Sequence, residues 1–132
     1  MSKIISLSEA STIGLHAMVL IARSGEGMNV QAVADKTGSS RHHIAKVMQR
    51  LVKDNLLTST RGPSGGFILK KKPTEINLLQ IYECIEGKIE ITKCPLDHEI
   101  CAFDRCLMEN VTQTMTKQVI QYLESRTLAS YL

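Results

Sequence analysis

Five apolar residues, Ile44, Val47, Met48, Leu51 and Val52, stand at positions i, i+3, i+4, i+7 and i+8. That recurrence matches the α-helical repeat, and it predicts a helix from residue 39 or 40 to about residue 55 with one core-facing stripe. Turned away from the stripe, at roughly 100° per residue, are His42, Lys46, Gln49 and Lys53, with Ser40 and Arg41 at the N-terminal end. A shorter helix is expected just before it, over 30–36, with Asn29 as N-cap and Gly38 beyond its end. An earlier helix over 8–23 carries Ile13, Ala17, Leu20 and Ile21 at helical spacing, and Gly25 and Gly27 break it. The apolar run 13–22 is too short to cross a bilayer, contains His16 and follows Glu9 instead of a basic stretch. It therefore reads as a core helix and not as a leader or membrane segment.

A short helix, a tight turn and a longer helix with a polar outer face form a helix-turn-helix, whose second helix would enter the major groove of double-stranded DNA. The residues that follow support this. Residues 56–60 and 66–69 read as two short strands joined by a Gly- and Pro-containing loop, a hairpin wing. Arg61 at its base can reach a phosphate or a narrow minor groove, and Lys70, Lys71 and Lys72 continue the positive surface. No Lys-Ser/Thr pair follows the loop to open a helix, so a nucleotide-phosphate loop is not expected. Charge divides the same way. Residues 1–72 carry eleven Lys/Arg against four Asp/Glu, a net +7, whereas residues 73–132 carry five against nine, a net −4. A basic first part facing a polyanion and an acidic second part doing something else follow from that asymmetry. With aromatics at only 4 % and no Trp, aliphatic helix packing suits the chain better than a β-sandwich.

The second part holds Cys94, Cys101 and Cys106 within thirteen residues, with Cys84 standing apart. Grouped cysteines in a reducing compartment hold a metal or an iron–sulfur centre more often than a disulfide, and thiolates are the usual cluster ligands. Pro95, Asp97, Glu99 and Asp104 make the loop polar and unsuited to a core. Cys84 falls on a helix expected over 77–87, whose Leu78, Ile81, Tyr82 and Ile85 face inward; it reads as a small buried hydrophobe and not a ligand. Beyond the loop, Met108, Val111, Met115, Val119 and Tyr122 recur at helical spacing to about residue 124, a long apolar stripe able to pack in cis or against a second copy.

The string Arg61-Gly-Pro-Ser-Gly-Gly-Phe67, placed after the helix-turn-helix and before a three-cysteine loop, resembles the IscR/NsrR family of winged-helix regulators over nearly the whole chain. The resemblance implies a homodimeric bacterial transcription factor, cytoplasmic and without membrane association. The cysteine loop would be its iron–sulfur sensor site, and the last long helix its dimerisation element. Base-reading positions would fall on Ser40, Arg41 and His42, with Lys46, Gln49 and Lys53 along the same face. The wing would contribute Arg61, Ser64 and Gly65. One domain over 1–132 is expected, divided into a DNA-binding part (1–72) and a sensor and dimer part (73–132).

Three cysteines leave one ligand position open. Some IscR-like members place a His three residues after the last cysteine, where this chain has Glu109, so Glu109 is the implied fourth ligand. NsrR-like members can take a carboxylate from the partner's first helix; the matching position is Thr12, with Glu9 nearby, and His98 and His16 are further candidates. Cysteine spacings of six and four intervening residues differ from those of better-known members and leave 2Fe–2S or 4Fe–4S open. Nitric oxide, redox state and cluster supply are the signals this site could report. Two alternatives stand beside this reading. One is the same fold with zinc, for example on three Cys and His98, or with a thiol switch. The other is an electron carrier or enzyme, for which the chain offers no nucleophile–base pair or substrate pocket, so no catalytic residue is expected.

Overall fold

The computed structural model describes every residue except Ser64, Lys93, Pro95, Asp97, His98 and Glu99. The sequence expectations for Ser64 in the wing and for His98, Pro95, Asp97 and Glu99 in the cysteine loop lie outside the described residues. Three helices come first: α1 (Glu9–Ser24), α2 (Val30–Thr37) and α3 (Arg41–Lys53). A hairpin of β1 (Leu57–Thr60) and β2 (Gly66–Leu69) follows, then α4 (Leu78–Glu86) and α5 (Val111–Ser125). Single 3-10 turns at Pro73–Glu75 and Leu128–Tyr131 flank the last two helices. The fold is a winged helix-turn-helix with an appended C-terminal helix.

Each of the first four helices is started by a side chain. Ser8, Asn29, Ser40 and Asn77 accept hydrogen bonds from the backbone N–H groups of Ser11, Ala32, His43 and Gln80, occupying donors that a helix start leaves free. The end of α3 also has a local cause. Asn55 adopts φ +63°, and the N–H groups of Asn55 and Leu56 reach back to the carbonyls of Val52 and Leu51 (both 3.0 Å). This is a Schellman ending, which turns the chain out of the helix. The expected helix to residue 55 therefore stops at Lys53, and Leu56 and Leu57 drop into the core at 4 % and 1 % exposure.

The core lies where α1, α3 and α4 meet. Met18, Ile21, Ile44, Met48, Leu51 and Ile81 are fully buried there, and α2 adds Val33 and Ala34. The stripe read from the sequence is thus the buried face of α3, with Val52 half-buried at its margin. After α5 the chain returns: Leu78 N–H donates to Arg126 C=O (2.9 Å) and Leu128 N–H to Ile76 C=O (3.0 Å). Arg23 then binds the Tyr131 carbonyl through Nε (2.6 Å), tying the C-terminal turn to α1.

The long C-terminal helix starts later than its apolar recurrence implies. Met108 stands before it, because Glu109 takes φ +48° and Asn110 is a non-helical cap. Among the described residues of α5 none is fully buried; Leu123 packs on the core, while Val111, Val119 and Tyr122 stay exposed.

Candidate nucleic-acid interface and cysteine loop

On α3, His42, Lys46, Gln49 and Lys53 are exposed and share one face, as the helical repeat requires, and Arg41 is exposed at its N-terminal end. Ser40 is exposed too, but its Oγ already accepts the His43 N–H (3.2 Å), so it caps the helix and keeps its hydroxyl proton and one lone pair for a ligand. The buried stripe fixes this face outward, so the helix presents four nitrogen-bearing side chains spaced to meet base edges and phosphates.

The wing is a two-stranded antiparallel hairpin with Leu57 opposite Leu69 and Thr60 opposite Gly66. Thr60 closes its base: Oγ1 accepts the Gly66 N–H (2.9 Å) and donates to the Gly66 carbonyl (3.1 Å). Gly65 has no room for a side chain. A Cβ there would stand 2.7 Å from the Thr60 carbonyl oxygen and 2.8 Å from that of Gly62. Arg61 is exposed at the hairpin base. Of the three lysines that follow, Lys70 is turned back: its Nζ donates to Asn55 Oδ1 (2.8 Å), bracing the end of α3.

Between α4 and α5 the described residues form no regular secondary structure. Glu83 Oε2 accepts the Ile89 N–H (2.8 Å), so α4 holds the start of this segment. Cys94 is half-buried, Cys101 and Cys106 are exposed, and all are free thiols. The three line one open cavity of about 530 Å³ together with Glu109, Asp104, Arg105, Phe103 and Asn110. Glu109 is paired there with Arg105. Among the described residues, no three His, Cys, Asp or Glu side chains converge tightly enough to hold a metal ion. A donor set of three thiols with a carboxylate from Glu109 or Asp104 suits iron or zinc chemistry, and closing on a centre through Glu109 would require the thiols to draw together and Glu109 to leave Arg105.

The other candidate ligands stand elsewhere in this chain. Glu9, Thr12 and His16 line a separate groove of about 660 Å³ along α1, floored by Leu15, Val19 and Leu20. His16 is held by the Thr12 carbonyl (2.8 Å from Nδ1), and Glu9 Oε1 lies 3.5 Å from Nδ1 of His43 on α3. Cys84 is 7 % exposed within α4, away from the loop thiols. Its own burial pushes the thiol up to about 12, and the nearby Asp54 carboxylate adds to the effect.

Two contacts of α3 have no counterpart in the sequence reading. His43 faces Glu9 of α1, and Arg50 reaches α4, where its Nε donates to the Cys84 carbonyl (3.1 Å). Helical spacing places these two residues beside the exposed face, and that was the only available signal.

Residues 7–132 match the Rrf2 family, described as an iron-dependent transcriptional regulator. The chain is 27 % identical to the HTH-type transcriptional regulator IscR of Serratia proteamaculans over 125 residues, which is 93 % of this chain and 76 % of that protein. Its fold is similar to that of CymR, the global cysteine regulator of B. subtilis (TM-score 0.78, 25 % identity, 98 % of this chain and 99 % of that one). It is also similar to T. potens IscR (TM-score 0.76, 27 % identity, 96 % and 85 %). With a winged helix-turn-helix, an exposed polar face on α3 and a family match spanning nearly its whole length, the chain belongs to the Rrf2 family of DNA-binding transcriptional regulators.

Proposed function

We propose that this regulator binds its operator as a homodimer, and that an iron–sulfur cluster on Cys94, Cys101 and Cys106, with Glu109 as fourth ligand, sets its operator affinity. The observation that carries the reading is the shared cavity: three cysteines and two carboxylates, Glu109 and Asp104, border a single space, while Cys84 is buried elsewhere. Family descent supports iron, and the likeness to IscR proteins supports a cluster. When bound, the cluster would supply a redox- and nitric-oxide-reactive centre, and its ligands would bring the loop to one conformation. The apolar stripe of α5, with Val111, Val119 and Tyr122 exposed, Met115 half-buried between them and Met108 exposed before the helix, is the surface proposed to bury against the second copy. Two recognition helices then address half-sites about 34 Å apart.

A second reading rests on the free, accessible thiols of Cys101 and Cys106 and the likeness to a cysteine regulator. In it the same loop responds through thiol chemistry or zinc without iron. Anaerobic isolation with iron, sulfide and zinc analysis and visible spectroscopy separates the two. Coloured protein containing iron and sulfide, bleached by Ala at any of the three loop cysteines but not by Cys84→Ala, supports the cluster. Colourless protein that binds only zinc, or whose operator affinity follows thiol oxidation, overturns it.

A further inference from the structure

Arg50 and His43 are basic residues on the recognition helix, seven positions apart and so on one flank of it. By charge alone both would be counted among DNA phosphate contacts. Arg50 is exposed and His43 half-buried, yet each already has a partner within the protein. Arg50 Nε donates to the Cys84 carbonyl of α4 at 3.1 Å, and the Cys84 thiol lies 3.6 Å from the Arg50 carbonyl, so the two residues bond reciprocally. The Cys84 carbonyl belongs to the last turn of α4, where helix carbonyls lack intrahelical donors. A guanidinium there satisfies that oxygen and meets the negative end of the helix dipole. Nearer the other end of α3, the His43 ring faces Glu9 in the first turn of α1 (3.5 Å), a carboxylate that itself suits the N-terminus of its helix. The hydrophobic stripe holds α3 against the core but is non-directional. A directional hydrogen bond at Arg50 and a side-chain contact at His43, at opposite ends of one flank, limit how far the helix rolls about its axis, and so where Lys46 and Gln49 point.

We infer that Arg50 and His43 are positioning residues for DNA reading: they tie the recognition helix to α4 and α1 and do not themselves contact phosphate. This rests on the reading of α3 as the DNA-facing helix. Arg50 also joins that helix to the element that holds the start of the cysteine loop through Glu83 and Ile89.

Salt dependence separates a tether from a phosphate contact, because each lost phosphate contact shallows the log–log slope of affinity against salt by about one unit. The full-length protein would first select a duplex of about 30 base pairs, long enough for two half-sites, from a random pool. Affinities of Arg50→Met, Arg50→Gln and His43→Leu for that duplex are then measured across salt, with thermal melts as a check on folding. Arg50→Met removes both charge and donor; Arg50→Gln removes the charge but keeps an N–H donor. Expected are a loss of about tenfold for Arg50→Met, the scale of a lost charge-assisted hydrogen bond, recovery to within about threefold of wild type for Arg50→Gln, and unchanged slopes for all three variants. If Arg50→Met fails to fold, the slope of Arg50→Gln decides alone. Slopes shallowed in the Arg50 variants, wild-type affinity in Arg50→Met, or Arg50→Gln as weak as Arg50→Met would each overturn the inference. Lys46→Ala serves as control: a slope that it leaves unmoved counts against α3 as the DNA-facing helix and not against the tether.

Discussion

Gly66, in the wing, lies directly against Met28, which precedes α2. A Cβ at residue 66 would stand 2.7 Å from the Met28 carbonyl oxygen and 2.9 Å from the Asn29 nitrogen. The neighbouring residue completes the junction: Phe67 and Met28 exchange both backbone hydrogen bonds, at 3.0 and 2.8 Å. The wing is thus stitched to the start of the helix-turn-helix, and its position relative to α3 is set by backbone and not by the hairpin alone.

Gly66→Ala should therefore push β2 away from Met28. We expect a stability loss of about 1–3 kcal/mol, the usual cost of forcing atoms into a packed site, together with weakened operator binding. Gly25→Ala is the comparison. Gly25 has φ +69° but nothing within 4 Å of a new Cβ, so only the left-handed backbone cost of about 1–2 kcal/mol applies and DNA binding should persist. Thermal melts and operator titrations of the two variants check this; equal effects on binding would mean the wing junction does not matter.

Lys46 and Arg61 are exposed, on α3 and at the wing base. Replacing either with Ala should weaken binding to all sequences and shallow the salt slope by about one unit per protomer, about two in a symmetric dimer. Exchange of His42 or Gln49 should instead change which bases are preferred, read by repeating the selection from random duplexes.

Cys84 should be the silent thiol. Under native conditions a thiol reagent should label the loop cysteines quickly and Cys84 only after unfolding, because burial both shields it and disfavours its thiolate. The folded-state value is raised from 9.0 to about 12. Ionisation is therefore easier in the unfolded chain, and the stability contribution, complete below about pH 9, falls as pH rises toward 12. Unfolding midpoints of wild type and Cys84→Val across this range measure it. A similar decline in both proteins would remove Cys84 as the cause.

The exposed stripe on α5 carries the dimer proposal. Val119→Asp or Tyr122→Asp should yield a monomer with an unchanged circular dichroism spectrum, since neither residue is part of the buried core. Operator affinity should fall severely when two half-sites are no longer held together. Sedimentation at micromolar concentration decides; a dimer that survives both substitutions places the interface elsewhere.

Cluster-bound and apo protein should differ in affinity for the selected duplex by at least about tenfold, a coupling of roughly 1.4 kcal/mol. Glu109→Ala should alter the visible spectrum and speed cluster loss. Arg105, which pairs with Glu109, should have the opposite effect: Arg105→Ala frees the carboxylate and should ease cluster assembly. Identical spectra and lifetimes for wild type and Glu109→Ala would pass the ligand role to Glu9 of the partner subunit or to His98.

The sequence by itself determined the elements that depend on neighbours within one or two helical turns. The apolar repeat from Ile44 to Val52 dictated both the buried and the exposed face of α3, because a helix of fixed pitch converts spacing into direction. The glycine string after Arg61 marked the hairpin, Asn29 and Ser40 marked helix starts, and the grouping of three cysteines marked the loop. Where residues distant in the chain meet, only the tertiary structure decided. It cut Met108 off from α5 through the backbone of Glu109, turned Lys70 onto Asn55, and separated Glu9 from the loop thiols within one chain. It also gave Gly66 its necessity, through Met28, and directed Arg50 to a carbonyl 34 residues further along. Such partners are chosen when the packed core sets the distances between elements, and periodicity along the chain carries no record of them.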